Sequence, residues 1–362
     1  MLYYFLYPLR DIFFAFNVFK YITFRAGMSI VTSFLLCLIL GPYIIKKLTL
    51  LKVGENIRKE ECLLLYNMQP HKQGTATMGG ILIISAILIT VLLWADLSNR
   101  YILLCLLSSL WLGLVGFRDD YLKLIKKKSK GLSACAKLFW QILLGLVIGT
   151  VIVSGGEFST IVDIPFFKRI VLDLGLFYIL FIVLVICASS NAVNITDGLD
   201  GLAIGSVMMV ALAFAVLSYV TGHAVFSRYL FIPHVPQAAE LTVFCAAIFG
   251  ASLGFLWFNC YPANIFMGDT GSLSLGGMLG TVAILTKKEL LLGLVGGIFV
   301  IEVISVIMQV ASLKLTGRRI FKMSPLHHHF QMKGLSESKI IIRFWIIGII
   351  FIIFTLVTLK LR

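Results

Sequence analysis

Residues able to do chemistry gather in a few short stretches of an otherwise apolar chain. Asn191-Ala192-Val193-Asn194-Ile195-Thr196-Asp197-Gly198-Leu199-Asp200-Gly201 packs two amides, two carboxylates, a threonine and two glycines between long apolar runs. Amides and carboxylates at the edge of a membrane are costly, and they persist mainly where they line a cavity and bind something polar. Asp119-Asp120 follows one apolar run and precedes a lysine-rich stretch. Two solvated charges at a helix end would account for that pair. Adjacent carboxylates cannot share one helical face, so the pair can also offer one group to a hard cation such as magnesium and the other to a substrate.

Asn259 and the run Asn264-Ile265-Phe266-Met267-Gly268-Asp269-Thr270-Gly271 set Asp269 between glycines just before a helix start. Asp269 or Thr270 would serve as an ordinary N-cap there. Gly268 and Gly271 would equally let backbone N–H groups approach a phosphate, with Asp269 holding a Mg²⁺ that bridges its oxygens. Phe266 could stack on a flat base.

Three histidines, His327-His328-His329, are internal to the chain. Neighbouring side chains on a helix diverge by about 100°, so a shared zinc ion is a poor fit. Contacts to a pyrophosphate suit them better, given Arg318, Arg319 and Lys322 just before. Glu302 and Gln309 lie inside an apolar run, seven residues apart and on one helical face. An interhelical hydrogen bond and a functional role fit Glu302 equally well. Lys130 and Lys137 flank Gly131; they read either as lysines snorkelling to headgroups or as ligands of a lipid phosphate. A further polar cluster runs from Lys72 through Gln73, Gly74 and Thr75 to Thr77.

These residues need a frame, and the composition supplies one. The chain has 362 residues, 59% hydrophobic and 13% charged. That balance excludes an ordinary soluble domain and predicts an all-α polytopic membrane protein. Ten apolar runs are expected at about 27–45, 78–95, 101–117, 135–154, 170–189, 201–221, 241–259, 271–286, 290–313 and 340–359. The eighth is short for a span. Residues 1–24 are interrupted by Arg10, Asp11, Asn17 and Lys20, and read as an interfacial lead-in rather than a cleavable leader. Residues 1–362 read as a single transmembrane domain.

Twenty of the 31 lysines and arginines fall in three alternate connections, around Lys46–Lys72, Arg118–Lys137 and Lys314–Arg343. The positive-inside rule then puts both termini outside and the odd-numbered connections in the cytoplasm. All the polar clusters fall in those connections, which predicts one cytoplasmic-face site, and the opposite connections read as carrying nothing comparable. The net charge of +14 suits anionic lipid headgroups or phosphate-bearing substrates. The basic residues lie in short loops, so nucleic acid is not an expected partner. Seven scattered cysteines show no CxxC spacing and no zinc or disulfide framework.

Taken together, the stretches Thr77-Met78-Gly79-Gly80, Gly116-Phe117-Arg118-Asp119-Asp120-Tyr121, Lys130-Gly131-Leu132-Ser133, Asn191 to Ala203, Phe255 to Asn259, Phe266 to Ser272 and Phe321 to Phe330 resemble the polyprenyl-phosphate N-acetylhexosamine-1-phosphate transferases. The nearest likeness is to their muramoyl branch in bacterial peptidoglycan synthesis. The resemblance implies a ten-helix fold with a cytoplasmic cleft, a homodimer in the bacterial cytoplasmic membrane, and Mg²⁺ as cofactor. It implies transfer of phospho-MurNAc-pentapeptide from UDP-MurNAc-pentapeptide to undecaprenyl phosphate, giving lipid I and UMP. By position, Asp119 and Asp120 match the acidic pair, with Asp119 as base, and Asp269 with Asp197 would hold the metal. Asn191, Asn194, Asp197, Gly198, Leu199, Asp200, Asn259, Phe266 and Gly268 would form the nucleoside and pyrophosphate pocket. Lys72, Thr77, Lys130, Lys137, Gln309, His327, His328 and His329 would line the rest of the cleft. Two alternatives stand beside this: a GlcNAc-1-phosphate transferase acting on the same lipid, and an ion-coupled transporter.

Overall fold

A computed structural model describes residues 2–51, 74–124, 131–155, 159–164 and 171–360. Lys72 and Lys130 lie outside the described residues.

Helices dominate. In chain order the long ones are α1 (Ile22–Leu50), α2 (Gly80–Trp94), α3 (Arg100–Leu124), α4 (Ala134–Ser154), α5 (Phe177–Thr196), α6 (Leu202–Gly222), α7 (Leu241–Asn259), α8 (Gly268–Leu285), α9 (Gly297–Thr316) and α10 (Glu337–Thr358). Among the described residues eight are long and apolar enough to cross a membrane, α7 being joined there to the preceding turn Pro236–Glu240. The exceptions are α2, with 15 residues, and α8, with 18. At 1.5 Å per residue α2 spans only about 23 Å, short of a hydrocarbon core of about 30 Å. The short α8 is enclosed by other helices along nearly its whole length.

The boundaries depart from expectation in three places. The run expected at 170–189 becomes a helix only at Phe177 and continues to Thr196, so Asn191 and Asn194 ride on its last turns rather than in a loop. Their three-residue spacing keeps both amides on one face. Upstream of it a two-stranded antiparallel hairpin, β1 (Ile161–Asp163) and β2 (Val171–Asp173), pairs Val162 with Leu172. The ninth run breaks at Gly296 into a short helix, Glu289–Val295, and α9.

α7 and α8 form the centre of the bundle. α7 packs along α1 and α6, and α8 runs between α3 and α5, while α4 flanks α5. The core between them is aliphatic and aromatic, with Leu82, Ile102, Leu112, Ile182, Phe214, Phe244 and Phe255 fully enclosed. The carboxyl ends of α3 and α5 and the amino ends of α4 and α8 meet at one end of the bundle.

The opposite end is not polar-poor, contrary to the sequence reading. Arg25 on α1 forms a buried bidentate pair with Glu240, and Glu240 also accepts from the Asp96 backbone N–H at 2.7 Å. Lys288, fully buried, reaches Asp163 of the hairpin at 2.6 Å. Lys287 donates to the Tyr178 hydroxyl at 2.8 Å, and that hydroxyl donates to Glu289. Arg25 and Glu240, and Lys288 and Asp163, lie far apart in the sequence, and only the fold pairs them.

Candidate active site

Asp119 and Asp120 occupy the penultimate turn of α3 and are buried, not solvated. As adjacent helical residues they point to different neighbours. Asp120 faces the start of α8: its carboxylate accepts the N–H of Asp269 at 3.1 Å, the N–H of Thr270 at 2.9 Å and the Thr270 hydroxyl at 2.6 Å. The N-cap of α8 therefore comes from another helix, and neither Asp269 nor Thr270 caps its own helix as the sequence suggested. This close docking needs Gly116, one turn earlier on α3, because a Cβ there would lie 2.2 Å from the Asp269 carbonyl oxygen. Gly268 takes a left-handed φ of 72° immediately before Asp269, with Asp120 against it.

Asp119 faces α4. Its Oδ1 accepts the Leu132 N–H at 2.6 Å, and its Oδ2 lies 2.5 Å from Lys123 Nζ and 2.9 Å from Lys137 Nζ. The same two ammonium groups lie 2.9 and 2.5 Å from Asp269 Oδ2. Asp269 Oδ1 accepts from Asn194 Nδ2 at 2.8 Å, and Asn194 Nδ2 also reaches Ser272 Oγ at 2.8 Å. One turn back, Asn191 donates to the buried Gln141 of α4 at 2.8 Å.

Asp119, Asp120 and Asp269 offer carboxylate oxygens within 4.8 Å of one another, a spacing that can hold a metal ion. Asp120 spends both oxygens on the α8 cap, so Asp119 and Asp269 have the donor capacity for a hard cation. Asp197, expected among the metal ligands, is not in this cluster. Helix α5 ends at Thr196, one residue before Asp197, and it is Asn194 that reaches Asp269.

The loop after α5 forms a second polar group beside the acidic centre. Asn259 accepts the Gly201 N–H at 3.0 Å and donates to the Ile265 carbonyl at 2.7 Å. Asp200 accepts the Ala263 N–H at 3.0 Å, and Leu199 is buried against Leu202, Ile340 and Phe344. Gly198 abuts His327, where a Cβ would lie 2.3 Å from Nε2. His327 is fully enclosed, with Nδ1 3.2 Å from Glu302 Oε2. Glu302 also accepts the Leu326 N–H at 2.8 Å, and Gln309 accepts the N–H groups of Ile320 and Phe321. Both therefore hold the 318–331 connection onto α9.

His328 pairs with Gln331 at 2.8 Å, and His329 Nδ1 accepts the Lys322 N–H at 3.1 Å. Partial burial, then Lys333 and Lys322, lower the His329 pKa. Thr77 is buried at the start of α2, and half-buried Phe266 extends the chain crossing in which its N–H bonds the Ala76 carbonyl.

An apolar cavity of about 500 Å³ opens beside the site. α5, α8, the Glu289–Val295 helix and α9 wall it, from Asn191 at the site end to Glu289 at the other. Lys123, Thr270, Ser272 and Gln141 are site residues that sequence reasoning missed. The spacing of Asp119 to Lys123, and of Lys137 to Gln141, at one helical turn was the available signal.

Fold and site together define a membrane-embedded transferase with a metal-competent acidic centre. Residues 101–287 match the family model described as glycosyl transferase family 4. Full-length relatives carry the name phospho-N-acetylmuramoyl-pentapeptide-transferase: 52% identical in Pelobacter propionicus and in Citrifermentans bemidjiense, and 53% in Desulfosudis oleivorans, each alignment covering 100% of both chains. The chain belongs to glycosyl transferase family 4 and, within it, to the phospho-N-acetylmuramoyl-pentapeptide-transferases. With its apolar helices and bacterial relatives it is a protein of the bacterial inner membrane, and the transporter alternative falls away.

Proposed function

We propose that the protein transfers phospho-MurNAc-pentapeptide from UDP-MurNAc-pentapeptide to undecaprenyl phosphate, releasing UMP and leaving lipid I in the membrane. The observation that carries this reading is the junction of two environments: the Asp119–Lys123–Lys137–Asp269 centre stands beside an apolar cavity that begins at Asn191. A polyprenyl chain suits the cavity wall, and its phosphate then reaches the charged centre.

An oxygen of the lipid phosphate attacks the phosphorus attached to MurNAc. The phosphoanhydride bond breaks, and UMP leaves with the bridging oxygen. Such a transfer asks the protein for positioning and charge neutralisation. Lys123 and Lys137 supply positive charge, and Asp119 accepts the proton from a monoanionic lipid phosphate. Asp269 and Asp119 would hold Mg²⁺, whose charge would neutralise the diphosphate. Asp120 positions Asp269 by fixing the first turn of α8. Asn191, Asn194, Gly198, Asp200, Asn259, Phe266 and the three histidines shape the nucleotide side, with Thr77 and Gln309 at its margin.

The lysine and arginine distribution supports an active site on the cytoplasmic face and termini outside. The family resemblance supports a homodimer and a single domain, and the interruption of residues 1–24 by Arg10, Asp11, Asn17 and Lys20 supports an interfacial lead-in there. Purified protein given Mg²⁺, undecaprenyl phosphate and either UDP-MurNAc-pentapeptide or UDP-GlcNAc tests the substrate. UMP and a lipid product from the muramoyl nucleotide alone are expected; product from UDP-GlcNAc alone would assign the enzyme to the other branch.

A further inference from the structure

Asp119 and Asp269 share two ammonium groups. Asp119 Oδ2, Lys123 Nζ, Asp269 Oδ2 and Lys137 Nζ form a closed ring of alternating charge, with every side between 2.5 and 2.9 Å. The remaining carboxylate oxygens of the cluster are engaged elsewhere. Asp119 Oδ1 holds Leu132, Asp269 Oδ1 holds Asn194, and Asp120 holds the first turn of α8. The two Oδ2 atoms are therefore where a divalent cation would find ligands, and both are covered by lysine.

We propose that Lys123 and Lys137 are resident counter-cations of the metal seat, exchanging places with the divalent ion and then turning to the substrate phosphates. This rests on the reading of the acidic cluster as a metal site. Without a divalent ion, three carboxylates against two ammonium groups leave the centre with one net negative charge, which repels a diphosphate. With the ion seated and the tethered lysines still nearby, the centre carries one net positive charge. Metal and nucleotide then favour each other's binding, and the coupling is reciprocal. Lysine suits this work because its charge sits on a flexible four-carbon stem that finds a new partner by rotamer change. Lys123 and Lys137 come from different helices, so each can leave without disturbing the other.

The exchange makes the lysines competitors of the metal, opposite to what a merely supporting role would give. Manganese(II) binding to the full-length protein in detergent, followed by electron paramagnetic resonance of the free ion, reads this directly. Lys137→Gln and Lys123→Gln should each bind manganese about tenfold more tightly than wild type, because one competing charge is gone. Lys137→Arg keeps the charge and should bind as weakly as wild type. UMP should tighten manganese binding in wild type and do so less in either glutamine variant.

Unchanged or weaker manganese binding in folded glutamine variants would overturn the proposal. A second readout needs no substitution: saturating manganese should speed acylation of Lys123 and Lys137 in wild type, scored by peptide mass spectrometry. Unaltered labelling rates would also overturn it. Asp269→Asn separates the two levels. If it leaves manganese binding intact, the metal site itself has been misassigned, whatever the lysines do.

Discussion

The Asp120 carboxylate, on α3, accepts both the backbone N–H and the hydroxyl of Thr270, at 2.9 and 2.6 Å, and so caps α8 from outside that helix. Asp269 sits one residue before Thr270, so this cap fixes where the acidic centre's third carboxylate points. Thr270→Val keeps the shape but leaves a buried carboxylate short of one donor, at a cost of about 1–3 kcal/mol. A lower melting temperature and slower UMP release are expected, with Thr270→Ser close to wild type. A valine variant with unaltered melting temperature and rate would show that the hydroxyl is incidental.

Asn194 orients Asp269 from the other side, donating to its Oδ1 at 2.8 Å. Asn194→Asp replaces that donor with a second carboxylate facing the first. Like-charge repulsion should then rotate Asp269 and reduce kcat/KM by about a hundredfold, with little change in folding. Steady-state UMP release against Mg²⁺ concentration measures it, and a rate within twofold of wild type would remove Asn194 from the site.

Gly198 gives His327 its space. A Cβ at Gly198 would lie 2.3 Å from Nε2 of a ring that is fully enclosed and backed by Glu302, so the ring has nowhere to withdraw. Gly198→Ala should loosen the Leu326–Gln331 helix, seen as faster amide hydrogen exchange there, and lower activity at least tenfold or so. His327→Ala in the same chain should relieve the clash, making the two substitutions non-additive for stability.

Lys287 lies in the turn after α8, outside the spanning helices, and burial pushes its ammonium down to about 8 although Glu289 opposes the shift. Its ordinary value is 10.5. Between those values the unfolded chain holds more protons than the folded one, so this residue's contribution to stability improves as pH rises from about 8 towards 10. Below that window the lysine is charged in both states and the fold carries the full burial cost. The melting temperature of wild type should therefore gain on that of Lys287→Met across the window. A gap that stays constant with pH would contradict the assignment.

Much of the architecture was legible because apolar runs of membrane length are strong signals, and the polar clusters fell on alternate connections. What the sequence hid was partnership across helices. Asp119-Asp120 reads as one motif, yet its members serve different helices: Asp119 the lysines of α3 and α4, Asp120 the start of α8. Lys123 begins a basic stretch, and Gln141 is a single amide in an apolar run. Their roles follow from helical spacing plus a neighbour that sequence does not specify. Asp197, one residue past the end of α5, stands outside the three-carboxylate cluster. Glu302, open to two readings, holds Leu326 and His327. Arg25 with Glu240, and Lys288 with Asp163, were invisible for the same reason, being charges far apart in sequence and paired only by the fold.

The most direct measurement is UMP release from UDP-MurNAc-pentapeptide and undecaprenyl phosphate with Mg²⁺, by wild type, Asp119→Asn and Asp269→Asn at matched melting temperature. Wild type should turn over, and both variants should fall to background. Turnover near wild type in either variant, or none from well-folded wild type, would contradict a transferase centred on these two carboxylates.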